Sequence, residues 1–393
     1  MAVSKKIESI LTRSSWIRKM FEEGTRLKAL YGDDKVFDFS LGNPNLPPPA
    51  VFNDTLVGIV KDLAPGSHGY MPNAGYPFVR KAMADMLSRE HGRSVSENDV
   101  IMTCGAAGGL NVIFKTILNP GEEVLSPAPY FVEYHFYADN HGGELKTVPT
   151  NADFTLNLTA LSAAVTEKTR AVLINSPNNP TGQIYSEESL AALGRLLADK
   201  SRDYGKTIYL ISDEPYRKIV FDGAVVPSIW AAYSESLIVT SFSKDISVPG
   251  ERIGYIAVGP DVTDKEALLG GMALANRILG FVNAPALMQR VVAAVQGATV
   301  DVGAYARKRD LLCKGLAGAG YEFIIPPGAF YLFPKSPIAD DVAFVRALQE
   351  ERILVVPGSG FGGPGHFRIA FCVEDTTIIH ALPGFKKVMA NFK

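Results

Sequence analysis

From about residue 98 the chain alternates short apolar runs with longer stretches of helical spacing. Val100-Ile101-Met102-Thr103 reads as a strand and Leu110 to Leu118 as a helix. Glu123-Val124-Leu125-Ser126 reads as a strand, followed by a helix from Tyr130. Ala171-Val172-Leu173-Ile174 is a strand, Glu187 to Asp203 a helix, and Ile208-Tyr209-Leu210-Ile211 a strand. Leu237-Ile238-Val239-Thr240 is a further buried strand, with Ile253 to Val258 expected antiparallel at one side. Runs that are apolar throughout, separated by helices, predict a mainly parallel α/β sheet covered on both faces. Sheets of that kind bind ligands beyond the carboxyl ends of their strands.

The flanks read differently. Trp16, Ile17, Met20 and Phe21 form one apolar stripe on an opening helix, which suits either core packing or a dimer contact. Asn43 to Pro49 is a proline-rich break that neither helix nor strand crosses. After Pro285 long helical patterns run to about Gly318, followed by short strands at Phe330 to Phe333, Ile353 to Val356 and Phe367 to Phe371. A closing helix starts near Asp375. We expect residues 46–285 to form a large domain, and 1–45 with 286–393 to form a smaller α+β one.

Composition narrows the function. The 393 residues are 47% hydrophobic and 20% charged, with a formal charge of −2, so nothing attracts the chain to nucleic acid or an anionic membrane. Cys104, Cys313 and Cys372 are too few for a disulfide framework, and no C-x-x-C pair suggests zinc or another metal. They read as buried thiols in a reducing cytosol. The first residues lack the apolar core of a signal peptide, and no run reaches the roughly 18 apolar residues of a spanning helix. A cytoplasmic protein is the expectation.

The chemistry gathers just after the strands. Gly105-Ala106-Ala107-Gly108-Gly109 opens a helix, where small residues either cradle an anion on backbone N–H groups or pack helix to strand. Ser176-Pro177-Asn178-Asn179-Pro180-Thr181-Gly182 follows the next strand, and Asp213-Glu214-Pro215-Tyr216 the one after. The strand at Leu237 ends in Ser241-Phe242-Ser243-Lys244, with Arg252 eight residues on. Four strand ends thus offer an anion cradle, an amide, a carboxylate and an amine, a set that fits a phosphorylated aromatic aldehyde with a ring nitrogen.

These segments, with Phe367-Arg368-Ile369-Ala370-Phe371 near the end, resemble the fold-type I pyridoxal-phosphate enzymes, specifically the class I/II aminotransferases. The resemblance spans nearly the whole chain and implies pyridoxal 5'-phosphate as cofactor. It makes Lys244 the aldimine lysine and proton shuttle, and Asp213 the partner of the ring nitrogen. Tyr216 and Asn179 match the positions that bind the ring's phenolic oxygen. Gly105, Ala106, Ala107, Ser241, Ser243 and Arg252 match the phosphate site, and Phe131 the stacking aromatic, with Tyr130 as its competitor. Tyr70 resembles a tyrosine that reaches the neighbouring subunit's phosphate, which implies a homodimer with shared sites. Arg368 matches the α-carboxylate arginine, and Gly42 the backbone position that closes over the substrate.

The sequence departs from many relatives at Ala106, where they carry serine, and Arg277 falls near, without clear register to, an arginine that reads side-chain carboxylates. Two other motifs fail on context. Gly360 to Gly365 matches G-x-G-x-x-G, but Pro364 and the strand-like residues beyond it leave no helix to open, so a flexible loop is expected. Ser241-Phe242-Ser243-Lys244 matches S-x-x-K, yet neither S-D-N nor K-T-G occurs. The expectation is an amino-acid:2-oxo-acid aminotransferase working by a ping-pong cycle, with the donor and acceptor left open. A carbon–sulfur lyase or a decarboxylase on the same scaffold is the alternative. A cofactor-binding DNA regulator is disfavoured for want of a basic helix-turn-helix extension.

Overall fold

The computed structural model describes residues 2–12 and 16–392. Its centre is a seven-stranded sheet in the order β2-β8-β7-β6-β5-β3-β4. The small strand β1 is Phe37–Asp38, and the large sheet comprises β2 Val100–Thr103, β3 Glu123–Ala128, β4 Glu144–Pro149, β5 Thr169–Asn175, β6 Tyr209–Asp213, β7 Ser236–Ser241 and β8 Gly254–Val258. All pairings are parallel except those of β8, which is antiparallel to both β7 and β2. Here one expectation is corrected: β8 is antiparallel but lies inside the sheet, because β2 pairs with its free edge.

The alternation of side chains explains why the strands read as unbroken apolar runs. Val100, Met102, Val172, Ile174, Leu210, Ile238 and Ala257 join one core, under the helices Pro77–His91, Glu187–Tyr204 and Ala286–Ala294. Their neighbours Ile101, Ala171, Leu173, Ile211, Leu237, Val239 and Ile256 join a second, under Gly105–Ile117 and Lys265–Ile278. Both faces are dry, so no polar position marks a solvent side. Edge strand β4 keeps Glu144 and Lys146 exposed, and its polar alternation hid it from the apolar-run reading.

A third core gathers Met20, Phe39, Phe330, Phe344, Phe367 and Phe385. It lies around the strands β9 Tyr331–Leu332, β10 Ile353–Leu354, β11 Val356–Pro357 and β12 Phe367–Ala370, with helices Val302–Ala319, Asp341–Glu350 and Asp375–Ala390. β1 pairs with β10, so the N-terminal segment joins C-terminal elements. Of the opening stripe, Met20 is buried in this core and Trp16 packs beside it, while the side chains of Ile17 and Phe21 lie outside the described residues. Two local readings change. The helix expected from Tyr130 starts at Glu133, after Pro129 and a turn, and Gly360 to Gly365 continues a 3-10 turn whose Phe361 is fully buried. Cys313 and Cys372 are buried thiols, whereas Cys104 is only half-buried at the start of its helix.

Candidate active site

Because β2, β5, β6 and β7 run the same way, their carboxyl ends share one edge of the sheet, where Asn175 is level with Asp213. A cavity of about 330 Å³ opens there. Gly42, Ala106, Ala107, Phe131, Asn179, Asp213, Tyr216, Ser241, Ser243, Lys244, Arg252 and Arg368 all line it, drawn from segments up to 326 residues apart in sequence. Gly105 stands just behind: a side chain there would meet the Arg252 guanidinium at 2.7 Å. Between the two aromatic candidates, Phe131 lines the cavity, while Tyr130 lies back against residues 361 and 362.

The small-residue stretch does two jobs. Its first residues face the cavity from a helix N-terminus, while Gly109 lets the helix sit on the sheet: an added Cβ would stand 2.6 Å from Val239. Two expected residues are elsewhere. Tyr70 is 94% exposed and outside this cavity, beside Met71 and Phe281. Arg277 is exposed at the end of the helix Lys265–Ile278.

Burial sets the electrostatics. Asp213 is pushed up to about 7 by burial, against the pull of a hydrogen bond from the Tyr134 hydroxyl to its Oδ2 at 2.5 Å. Its Oδ1 is buried with no partner among the described residues. Lys244 falls to about 8, first through burial and then through the cations Arg368 and Arg252, and donates to the Gly42 carbonyl at 2.7 Å. Arg368 is 2% exposed, donates to Asn179 Oδ1 at 3.0 Å and to the Ser40 carbonyl, and leaves its Nε unpartnered. Its guanidinium lies 4.7 Å from the Tyr331 ring centre and 4.6 Å from that of Phe361.

Several lining residues escaped the sequence reading, and three of them bond through their side chains to site residues. Asn175 ends β5, donates to the Asp213 carbonyl and accepts from the Asn179 N–H, so it braces two site residues at once. Tyr134 sits three residues after Phe131, a helical spacing that could have pointed to it. Tyr331, hydrogen-bonded to the Tyr216 hydroxyl at 2.7 Å, gave no signal, being one aromatic within an apolar strand.

An amine of lowered proton affinity, an unpartnered buried carboxylate oxygen and a buried arginine thus share one cavity. That set can hold a cationic ring, exchange a proton and bind a carboxylate.

The likenesses to known proteins agree with this geometry. Residues 34–384 match the family model described as aminotransferase class I and II. The aspartate/prephenate aminotransferase of Thermus thermophilus is 34% identical, over 84% of this chain and 85% of its own. The aspartate aminotransferase of Bacillus subtilis is 30% identical over 98% of both. Among solved structures, an amino transferase from Eubacterium rectale superposes with a TM-score of 0.97, 40% identity and complete coverage of both chains. The Thermus thermophilus aspartate aminotransferase with maleate gives 0.87 at 29% identity, over 99% of this chain and 100% of that one.

Proposed function

The chain belongs to the class I and II aminotransferases and is a pyridoxal-phosphate-dependent transaminase, and from that premise we propose how its residues divide the work and which donor it takes. Lys244 carries the cofactor. Asp213 Oδ1 holds the proton of the ring nitrogen, and Tyr216 and Asn179 bind the phenolic oxygen. Ser241, Ser243, Arg252 and the N–H groups of Gly105, Ala106 and Ala107 take the phosphate, and Phe131 covers the ring. The observation that carries this reading is the unpartnered, buried Asp213 Oδ1 in the same cavity as Lys244. A buried carboxylate oxygen without a partner is costly, and a protonated ring nitrogen removes that cost.

Bound there, the cofactor supplies an aldehyde that captures an amine and a ring that accepts the electrons left when the α-proton departs. The chain's own groups do the rest. Arg368 grips the donor's α-carboxylate and fixes which bond at Cα stands ready to break. Lys244, whose free amine is down at about 8, takes the proton from Cα and returns it two bonds away, to the carbon on the far side of the transferred nitrogen. Gly42 closes the backbone over the donor.

Aspartate is the proposed donor, because relatives covering most of the chain are named for it. Its second carboxylate calls for another cation, and a second copy of the chain could bring one in the exposed Arg277. A homodimer with shared sites is part of the same proposal. Tyr70, Phe78, Leu274 and Ile278 are exposed apolar or aromatic side chains of the kind a partner covers. So is the division into residues 46–285 and a smaller unit of 1–45 with 286–393, supported by the separate third core. A cytoplasmic site of action suits three free thiols.

The test is the visible spectrum of the loaded protein mixed with aspartate, followed by product analysis. Conversion to the pyridoxamine form with release of oxaloacetate is expected. Ammonia with pyruvate from a thioether substrate, or carbon dioxide from the donor, would replace this reading by the lyase or the decarboxylase.

A further inference from the structure

Tyr216 and Tyr331 are both buried, and the hydroxyl of each has the other as its only hydrogen-bond partner among the described residues. Two phenols sharing one bond have two protons between them, and only one lies in that bond. The other must find an acceptor elsewhere, and both residues line the cavity. Which proton is left over follows from the part assigned to Tyr216: a phenol that serves the ring oxygen must turn its own proton into the cavity, so in the shared bond Tyr331 donates and Tyr216 accepts. Tyr331 also holds the Arg368 guanidinium 4.7 Å from its ring centre. The space its hydroxyl occupies exists because residue 42 is glycine: any side chain there would collide with it.

We propose that Tyr331 is a positioning residue for the reaction: its hydroxyl donates to Tyr216 and so turns the Tyr216 proton into the cavity, while its ring fixes the plane of Arg368. One side chain then aligns the group that serves the ring oxygen and the group that grips the donor's carboxylate. The inference rests on the assignment of Tyr216 and Arg368 made above.

Tyr331→Phe separates the two jobs, since it keeps the ring and loses the hydroxyl. The readout is the pH titration of the visible band of the cofactor-loaded protein, with the affinity for α-methylaspartate, which binds but has no α-proton to lose. A weaker Tyr216 donor stabilises the deprotonated chromophore less, so the midpoint rises by about half a pH unit. The affinity stays within about twofold, whereas Tyr331→Leu loses about tenfold as well. In a Tyr216→Phe background, Tyr331→Phe adds no further shift, because its effect passes through Tyr216. An unchanged midpoint in Tyr331→Phe, or a shift that adds fully to that of Tyr216→Phe, overturns the proposal. So does a thermal midpoint of the cofactor-free variant lowered by more than about 10 °C, which makes the hydroxyl structural. Lys244→Ala is the control for the underlying reading: a titrating visible band that survives it sinks the site assignment, whatever Tyr331 does.

Discussion

Replacing Tyr134 by phenylalanine removes one oxygen and leaves the ring in its buried place. That oxygen is the hydrogen-bond donor to Asp213 Oδ2 at 2.5 Å, and with Oδ1 already unpartnered the carboxylate would lose its last side-chain donor. A hydrogen bond to a charged group is worth about 1.5–3 kcal/mol, or roughly one to two pH units. Asp213, already raised to about 7 by burial, would therefore rise further still. Near neutral pH it would be mostly the neutral acid, unable to keep the ring nitrogen protonated. The cofactor's affinity should fall by about 10- to 100-fold, with kcat falling alongside. Titrating the cofactor-free protein with pyridoxal phosphate at several pH values, and following absorbance, measures this directly. The loss should be greatest below the raised pKa and shrink as pH climbs past it. A dissociation constant within twofold of the parent at every pH would refute the assignment of Asp213 to the ring nitrogen through Tyr134.

Other substitutions test neighbouring steps. Because Asp213 has a folded pKa near 7 against 3.8 in an open chain, its contribution to the cofactor-free fold is intact below about pH 3.8 and lost as pH rises through 7. Asp213→Asn should abolish that slope, making the cofactor-free protein more stable at pH 8 by about 4 kcal/mol in denaturant titrations; an unaltered slope contradicts the buried carboxylate. Arg368→Lys keeps the charge but loses the planar fork between Tyr331 and Phe361, so KM for the donor should rise about 10- to 100-fold, and a KM within twofold counts against carboxylate binding there. Gly109→Val forces a side chain onto Val239 and should cost about 1–3 kcal/mol of stability by thermal melting, with the spectrum of loaded protein little changed. Asn175→Ala removes the brace on both Asn179 and Asp213, and its deficit should be less than additive with Asn179→Ala in a double-variant comparison of cofactor affinity.

The chain order of the chemistry was legible because each motif follows a strand that is apolar on both faces. A strand such as Ala171 to Ile174 has no solvent side, so it stands out as a run, and the polar residues ending it are conspicuous. The anion cradle, the amide, the carboxylate and the amine were read from strand ends in that way, together with the sheet they sit on. What one-dimensional text lacked was pairing. Strand β8 looks the same at an edge or in the middle, and only its hydrogen bonds to β2 decide between them. Tyr134 and Tyr331 are aromatic residues inside apolar elements, and nothing in their spacing distinguishes a core ring from one whose hydroxyl meets Asp213 or Tyr216. Arg368 could be assigned from its motif, but its stacking between two rings and its bond to Asn179, 189 residues away, exist only once both ends of the chain are folded together. The sequence by itself determined which groups would stand at the strand ends, because local periodicity and burial act over a few residues. Tertiary structure alone decided which hydroxyl, carbonyl or ring each of them meets, and therefore how far burial shifts their proton affinities, because those depend on contacts between distant segments.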